Sequence, residues 1–442
     1  MEVFIEMNKE TSFGEKLAYA IGDSGANFVW TFTSSFLTLY YTDSVLLAAG
    51  LVGTIMLISR LLDGISDIVF GLVLERTCSR LGKARPWFGL SILPLVISFL
   101  MVFHVPQDFS PAGKTIYVTV TYILMTVVAF TVNNLSFHAM LSRISLSQDD
   151  RNKISTLRGI FAFVTGLVLA VATSSLLSAF GGEKSQRSWS LIAWIYASIC
   201  LVFQLICFLC TKEKIPAEIE DSRQKEDVFA GVRVLLHTKY FYLAAMVFVF
   251  SYIISGSLLG TAAYYSRDVL QSSSTYIYIA LVYVISMVIG MALMPKLILR
   301  FGKRRIMTCS GILAAVGNII GLLAPWQLPV VLISIGISSL GQAPFSSVMF
   351  TLAPDLVDHI EKKTGRRYEG LATSANSFGM KVGTGLGSAT IGWCLALGNY
   401  SGELGVQPRS AQIAEIVLLF VIPLAANFLR TICISQWHIE NE

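Results

Sequence analysis

Residues 46–85 read LLAAGLVGTIMLISRLLDGISDIVFGLVLERTCSRLGKAR. The run 46–74 is long enough to cross a bilayer as a helix, which takes about 20 mostly apolar residues. It holds Arg60, Asp63 and Asp67, and it closes in the basic turn Arg80-Leu-Gly-Lys83. The same R-x-G-K pattern returns as Arg300-Phe-Gly-Lys303, directly after another apolar run at 274–298. Counted from the N-terminus, the first copy follows the second apolar run and the other copy follows the eighth. A four-residue match alone would fit two unrelated basic loops with a turn glycine. Its placement at equivalent points makes it a duplication.

Composition agrees with a membrane reading. The chain has 442 residues, 54% hydrophobic and 14% charged, with a mean hydropathy of +0.66. A soluble domain carries about 25% charged residues, and a soluble chain of this length would form roughly three domains. So few charges would not cover three cores. Disorder, collagen-like repeats and a disulfide-stapled module are excluded as well. The net charge of +5 would suit nucleic acid only if the basic residues gathered on one soluble face. They lie instead in the loops between apolar runs, so no nucleic-acid partner is expected.

The apolar runs fall at 17–42, 46–74, 87–105, 115–141, 155–180 and 189–211, then at 240–265, 274–298, 306–324, 328–353, 370–398 and 411–435. These are about twelve spans of an all-α membrane protein, in two six-helix halves. The halves are 1–211 and 240–442, joined by a charged linker at 212–239. Duplicated halves of this kind hold a solute near the bilayer midplane, between them. The mixed charges of the first sixteen residues and the length of the run after them do not fit a cleavable signal. Lys and Arg set the orientation. Arg76, Arg80, Lys83, Arg85, Arg143, Arg151, Lys153, Arg300, Lys303, Arg304, Arg305, Lys362, Lys363, Arg366 and Arg367 occupy the even-to-odd loops. The opposite loops offer only Lys114, Lys184, Arg187, Arg267 and Arg409. Both termini and the linker are therefore expected in the cytoplasm of a plasma- or inner-membrane protein. Seven cysteines are scattered; Cys207 and Cys210 form a C-x-x-C inside a span, with no histidine or second pair to make it a metal or redox site.

Ionisable groups at membrane depth cost about 2.5–3.5 kcal/mol each on insertion scales. Asp23, Arg60, Asp63, Asp67 and Lys381 are placed there. Asp63 and Asp67, at i and i+4, share one helix face with Arg60. Two apposed carboxylates must recruit a cation or hold a proton. If the ion is Na⁺, Asp63 and Asp67 are its metal ligands, with a hydroxyl completing an oxygen set. A static Arg60–Asp63 pair that only ties helices together is the competing reading. Ser377 and Lys381 are also i, i+4, with Asn376 beside them as a further solute contact. Asp23 with Asn27, and Asn134 with His138, are spaced to orient the vicinal hydroxyls of a sugar. Trp30 would offer a stacking face to the sugar ring, or simply pack between helices. His138 would titrate, bind solute, or rest hydrogen-bonded in a helix interface.

In their order, these residues resemble the glycoside–pentoside–hexuronide:cation symporters, the melibiose-permease-like branch of the major facilitators. The likeness starts at Tyr19-Ala-Ile-Gly-Asp23-Ser-Gly-Ala-Asn27 and is densest at Arg60-Leu-Leu-Asp63-Gly-Ile-Ser-Asp67 and Gly82-Lys83-Ala-Arg85-Pro-Trp87. It returns at Asp355-Leu-Val-Asp358-His-Ile-Glu361 and at Lys381-Val-Gly383. The resemblance implies cation-coupled uptake of a sugar or glycoside by alternating access. It implies a cation site at Asp63, Ser66, Asp67, Thr131 and Ser377, and places Arg158 near the sugar. Ser66 stands where melibiose permease has a cation-site asparagine, which leaves Na⁺ and H⁺ both open. Asn27 and Asn134 replace two sugar-binding aspartates and His138 a tryptophan, which points to a different sugar. Arg80, Lys83, Arg151, Asp355, Asp358, Glu361 and Arg367 are the implied cytoplasmic gate, against the plainer reading of charge pairs in solvated loops.

The expected protein is thus a secondary transporter working as a monomer, with no cofactor beyond its coupling ion. No G-x-x-x-x-G-K-[ST] loop supports primary pumping, and no nucleophile–base pair supports an enzyme. A carrier of a non-sugar solute, anionic or lysolipid-like, is the alternative. A nontransporting sensor would have no use for Asp63, Asp67 and Lys381 inside the bilayer.

Overall fold

The computed structural model describes residues 11–77, 79–144, 148–214, 237–349, 352–364 and 369–438. Every expected span has its helix. The first, α1 (Phe13–Leu39), opens on a reciprocal cap: Ser12 Oγ accepts from the Glu15 amide at 3.2 Å, and the Glu15 carboxylate accepts from the Ser12 amide at 2.9 Å. It runs on as a π-helical turn, Tyr40–Ser44. Next come α2 (Ala49–Glu75) and α3 (Arg85–Val102). The fourth rod, α4, joins Pro111–Ile123, a π-helical stretch Leu124–Phe130, and Thr131–Ile144. The first group ends with α5 (Gln148–Phe180) and α6 (Gln186–Cys210).

Beyond the linker lie α7 (Lys239–Asp268), α8 (Thr275–Phe301), α9 (Lys303–Leu323) and α10 (Leu328–Val348). A short α11 (Leu352–Thr364) precedes α12 (Glu369–Leu397). The last rod, α13, joins Arg409–Ile416, a π-helical turn Val417–Val421, and Ile422–Ser435. The segment read from the sequence as a basic-acidic loop is therefore helical over α11. Leu352, Leu356 and Ile360, spaced i, i+4, i+8, are buried on one side of it, and this amphipathic pattern holds it on the core.

Among the described residues, nine helices are long and apolar enough to cross a membrane. The long helices outside that group are α1, α2 and α12, which carry Asp23, the Arg60–Asp63–Asp67 series and Lys381.

The chain packs as two units: 1–47 with 62–223, and 48–61 with 224–442. In the first unit, Tyr19, Phe88, Phe137, Met140 and Cys207 share one core cluster. In the second, Tyr240, Phe248, Phe345, Leu356 and Trp437 share another. The opening turns of α2 belong to the second unit, with Gly53 against the backbone of Ala389 and Gly392 on α12.

Both R-x-G-K turns depend on their glycine. Gly82 has φ +107° and Gly302 has φ +77°, where an L-residue is strained. Gly302 alone separates α8 from α9.

Candidate functional site

In the first unit, α1, α4 and α5 bring together most of the residues expected to bind solute. Arg158 on α5 donates from Nη2 to Asp23 Oδ1 at 3.0 Å, and the same nitrogen lies 3.0 Å from His138 Nε2. His138 Nδ1 lies 2.8 Å from the Asn134 carbonyl. A guanidinium only donates, so Nε2 accepts and the ring proton sits on Nδ1, pointing at that carbonyl. The geometry assigns a neutral His138 with a fixed tautomer.

Asn27 donates to the Asp23 carbonyl at 3.0 Å and to Asp23 Oδ2 at 3.3 Å. Both carboxylate oxygens of Asp23 are therefore engaged, one by a cation and one by an amide. The guanidinium also lies over the rings of Tyr19 and Phe137, which stack on each other with centroids 4.2 Å apart. Arg158 Nε is buried with no acceptor among the described residues. Trp30 stacks on Phe130 with centroids 4.3 Å apart, so one of its faces is used for packing.

The implied cation site is also in this unit. Thr131 donates to Asp63 Oδ1 at 2.7 Å, and both residues are buried. Ser66 donates to the Val127 carbonyl at 2.5 Å. The π-helical stretch explains that contact: its wide turn releases carbonyls from the regular ladder. Thr131 itself reaches back to the Thr126 carbonyl at 3.3 Å, five residues away. Asp67, half-buried, follows one turn after Asp63. Asp63 and Thr131 put a carboxylate and a hydroxyl together, oxygen donors of the kind a hard cation or a proton takes. Among the described residues no group of three or more His, Cys, Asp or Glu gathers as a softer metal would need.

The remaining solute and cation candidates lie on α12 in the second unit. Asn376 is buried, and its Oδ1 has no donor among the described residues. Ser377 is exposed and Lys381 half-buried.

The gate candidates divide. Lys303 on α9 holds both oxygens of Asp355 on α11 at 3.0 Å. Glu361 is half-buried on α11, Arg80 is exposed, and Arg151 is half-buried at the start of α5. The Asp358 side chain and Arg367 lie outside the described residues. Beside Arg151, Asp150 accepts from Lys16 Nζ at 2.5 Å and from the Thr11 amide at 3.0 Å. The Lys16 hydrogen bond, chiefly, holds the Asp150 carboxyl below the usual carboxylate range.

Around Lys83, the structure shows a residue that the sequence reading passed over. Glu213 accepts from the backbone amides of Lys83, Ala84 and Arg85 at 2.9, 2.7 and 2.6 Å, and from Arg143 Nε at 2.8 Å. It is an anion at the N-terminus of α3. Two more features were missed. Asn133 and Gln204 exchange amide hydrogen bonds at 2.8 and 2.9 Å, with Ser91 accepting from Asn133 at 3.0 Å. Arg430 lies fully buried in α13. A lone arginine inside the apolar run 411–435 is the same signal that singled out Arg60 and Lys381.

The family model described as MFS/sugar transport protein matches residues 18–441. A putative glycoside/cation symporter of Escherichia coli K12, YagG, is 29% identical over 416 residues, covering 93% of this chain and 88% of that protein. The glucuronide carrier protein homolog of the same organism is 27% identical over 437 residues, covering 98% and 93%. Among solved structures, the xylose transporter XylE from E. coli superposes with a TM-score of 0.67 at 11% identity, covering 96% of this chain and 95% of that one. That last likeness is one of fold.

Proposed function

The chain belongs to the MFS/sugar transport protein family, and from that premise we propose that it carries a sugar or glycoside across the membrane in symport with a cation. It is a multi-pass membrane transporter with the major facilitator fold, not an enzyme. Relatives named for a glycoside and a glucuronide support a glycoside as the solute. One observation carries the coupling. Thr131, Asn134 and His138 lie at i, i+3 and i+7, on one face of α4. Thr131 touches Asp63, while Asn134 and His138 belong to the cluster around Asp23 and Arg158. Loading a cation on Asp63 and Asp67 changes what Thr131 donates to, and the same helix face presents solute-binding groups two turns on.

In this reading Asp23, Asn27, Asn134, His138 and Arg158 orient sugar hydroxyls, and Trp30 flanks the ring. Asn376 and Lys381 contribute from α12. Asp63, Ser66, Asp67, Thr131 and Ser377 hold Na⁺ or H⁺. The buried Glu213–Arg143 pair and the Lys303–Asp355 pair steady the cytoplasmic ends of the helices, with both termini and the linker 212–239 on that side. Solute and cation bind the same state together, and their joint occupancy drives alternating access.

The test is uptake into membrane vesicles of a panel of labelled glycosides, with Na⁺ and pH gradients imposed separately. At least one glycoside accumulates under one gradient; failure of all under both sinks the proposal. Asp63→Asn and Asp67→Asn abolish accumulation while solute binding persists. Unchanged concentrative uptake in both variants would remove the cation assignment.

A further inference from the structure

Asn133 and Gln204 are both 0% exposed, and each amide answers the other. Asn133 Nδ2 donates to Gln204 Oε1 at 2.8 Å, and Gln204 Nε2 donates back to Asn133 Oδ1 at 2.9 Å. The second Nδ2 hydrogen of Asn133 goes to Ser91 Oγ at 3.0 Å. Ser91 donates its own proton to the Phe88 carbonyl at 2.8 Å, so towards Asn133 its oxygen can only accept. That fixes which way both amides face: the Asn133 nitrogen points at Ser91, and its oxygen is left for Gln204. The network is directional, and it joins α3, α4 and α6 inside the first unit.

Asn133 heads the stripe Asn133, Phe137, Met140 and Ile144 on α4, spaced i, i+4, i+7 and i+11. The other members of that stripe lie in the core cluster of this unit. Apolar side chains fill such a stripe without fixing its rotation closely, because their contacts have no direction. Three residues before Asn133 the π-helical stretch Leu124–Phe130 ends. One residue more or less in a wide turn rotates everything after it by about 100°. Thr131 and His138 both lie after it, and they meet Asp63 and Arg158 only in the phase observed. Gln204 also touches α1. A Cβ on Gly25, midway between Asp23 and Asn27, would lie 3.2 Å from Gln204 Cγ. The stem of Gln204 thus packs under the turn that carries Asp23 and Asn27, while its head holds α4.

A purely stabilising bolt does not account for these side chains. Leucine or methionine would fill the same space without burying two amides, which are costly to bury unless their hydrogen bonds are made. What paired amides add is direction: they accept one relative rotation of α4 and α6 and penalise its neighbours.

We propose that Asn133 and Gln204 are positioning residues for transport. Their amide pair, braced by Ser91, sets the rotational phase of α4 beyond the π-helical stretch, and so keeps Thr131 on Asp63 and His138 on Arg158. The roles of those four residues rest on the sugar-symport reading; the phase lock itself does not.

Gln204→Asn shortens one partner by a methylene, so the amides no longer meet, and adding Asn133→Gln restores the reach. Gln204→Met removes the amide at nearly the same volume; should it fail to fold, Gln204→Asn carries the test. Solute KM, cation half-saturation and maximal rate are read in vesicles, per amount of folded protein, with an accumulated glycoside. Phase is read without any solute, in the purified protein, as the alkylation rate of Ser136→Cys resolved by peptide mass spectrometry. Ser136 is 0% exposed on the native helix. Both single variants raise KM and half-saturation at least about fivefold and speed alkylation by a similar factor. The double variant Asn133→Gln/Gln204→Asn returns all three towards native values. A fall in folded protein or maximal rate, with KM and half-saturation unchanged, would make the pair a plain bolt and overturn the proposal. So would a double variant no better than Gln204→Asn, or alkylation unchanged in both single variants. If the native protein accumulates no glycoside, the symport reading falls; faster alkylation that the double variant reverses still establishes the phase lock.

Discussion

Glu213 has a side chain only 1% exposed, and its partner Arg143 only 6%. At that burial the pair is sheltered from water, and removing the carboxylate also leaves the Lys83, Ala84 and Arg85 amides without their acceptor. Glu213→Ala is expected to lower stability by about 3 kcal/mol, seen as an earlier thermal unfolding of the purified protein. Glu213→Gln falls less, since an amide oxygen still accepts from the Lys83, Ala84 and Arg85 backbone. A loss in the alanine variant no larger than about 1 kcal/mol, as for a surface pair, would contradict the anchoring role. Nothing local marks Glu213 in the sequence, where it reads as one of the linker charges between Lys212 and Lys214. Its target is 130 residues back, and helical periodicity says nothing about where a loop residue returns. Asp23, Asn27, Asn134 and His138 were legible for the opposite reason, since their i, i+4 spacing lies within single helices.

At the scale of elements, the two R-x-G-K turns share a backbone and differ in their anchors. Both glycines hold positive φ, and a Cβ on Gly82 would also meet the Glu213 carboxylate 2.5 Å away. In the second copy the lysine side chain meets an acid on α11: Lys303 pairs with Asp355, at 32% and 22% exposure. Exposed pairs contribute about 0–1 kcal/mol, so Lys303→Gln is expected to shift unfolding by less than about 1 kcal/mol. Equal losses for Lys303→Gln and Glu213→Ala would show that the turns are anchored alike. Apolar length alone located the long helices described above. It missed the π-helical stretch Leu124–Phe130, because one extra residue in a turn leaves hydropathy unchanged while moving carbonyls. It also missed α11 as a helix, since thirteen residues with five ionisable side chains and a histidine read as a loop until Leu352, Leu356 and Ile360 find a core.

For the molecule as a whole, the excess of Lys and Arg in alternate loops sets the orientation in the bilayer. Alkaline phosphatase fused after Asp108, between α3 and α4, is expected to be active outside the cytoplasm. The same reporter fused within 212–239 is expected to be inactive, and the reverse pattern would invert the topology. The duplication was readable because its marker repeats at the same point in each group of spans. The seat of Arg430 was not, because its acceptors Ser251 and Gln342 and the Phe345 ring beneath it come from α7 and α10, which no single stretch of sequence juxtaposes with α13. That arginine also bears on how the protein is made. An arginine at bilayer depth costs about 2.5–3.5 kcal/mol to insert, and Ser251, Gln342 and Phe345 leave the ribosome before it. Its segment therefore enters a membrane in which its polar seat is already synthesised. The completed helix is held by partners waiting for it, and not by its own hydrophobicity alone.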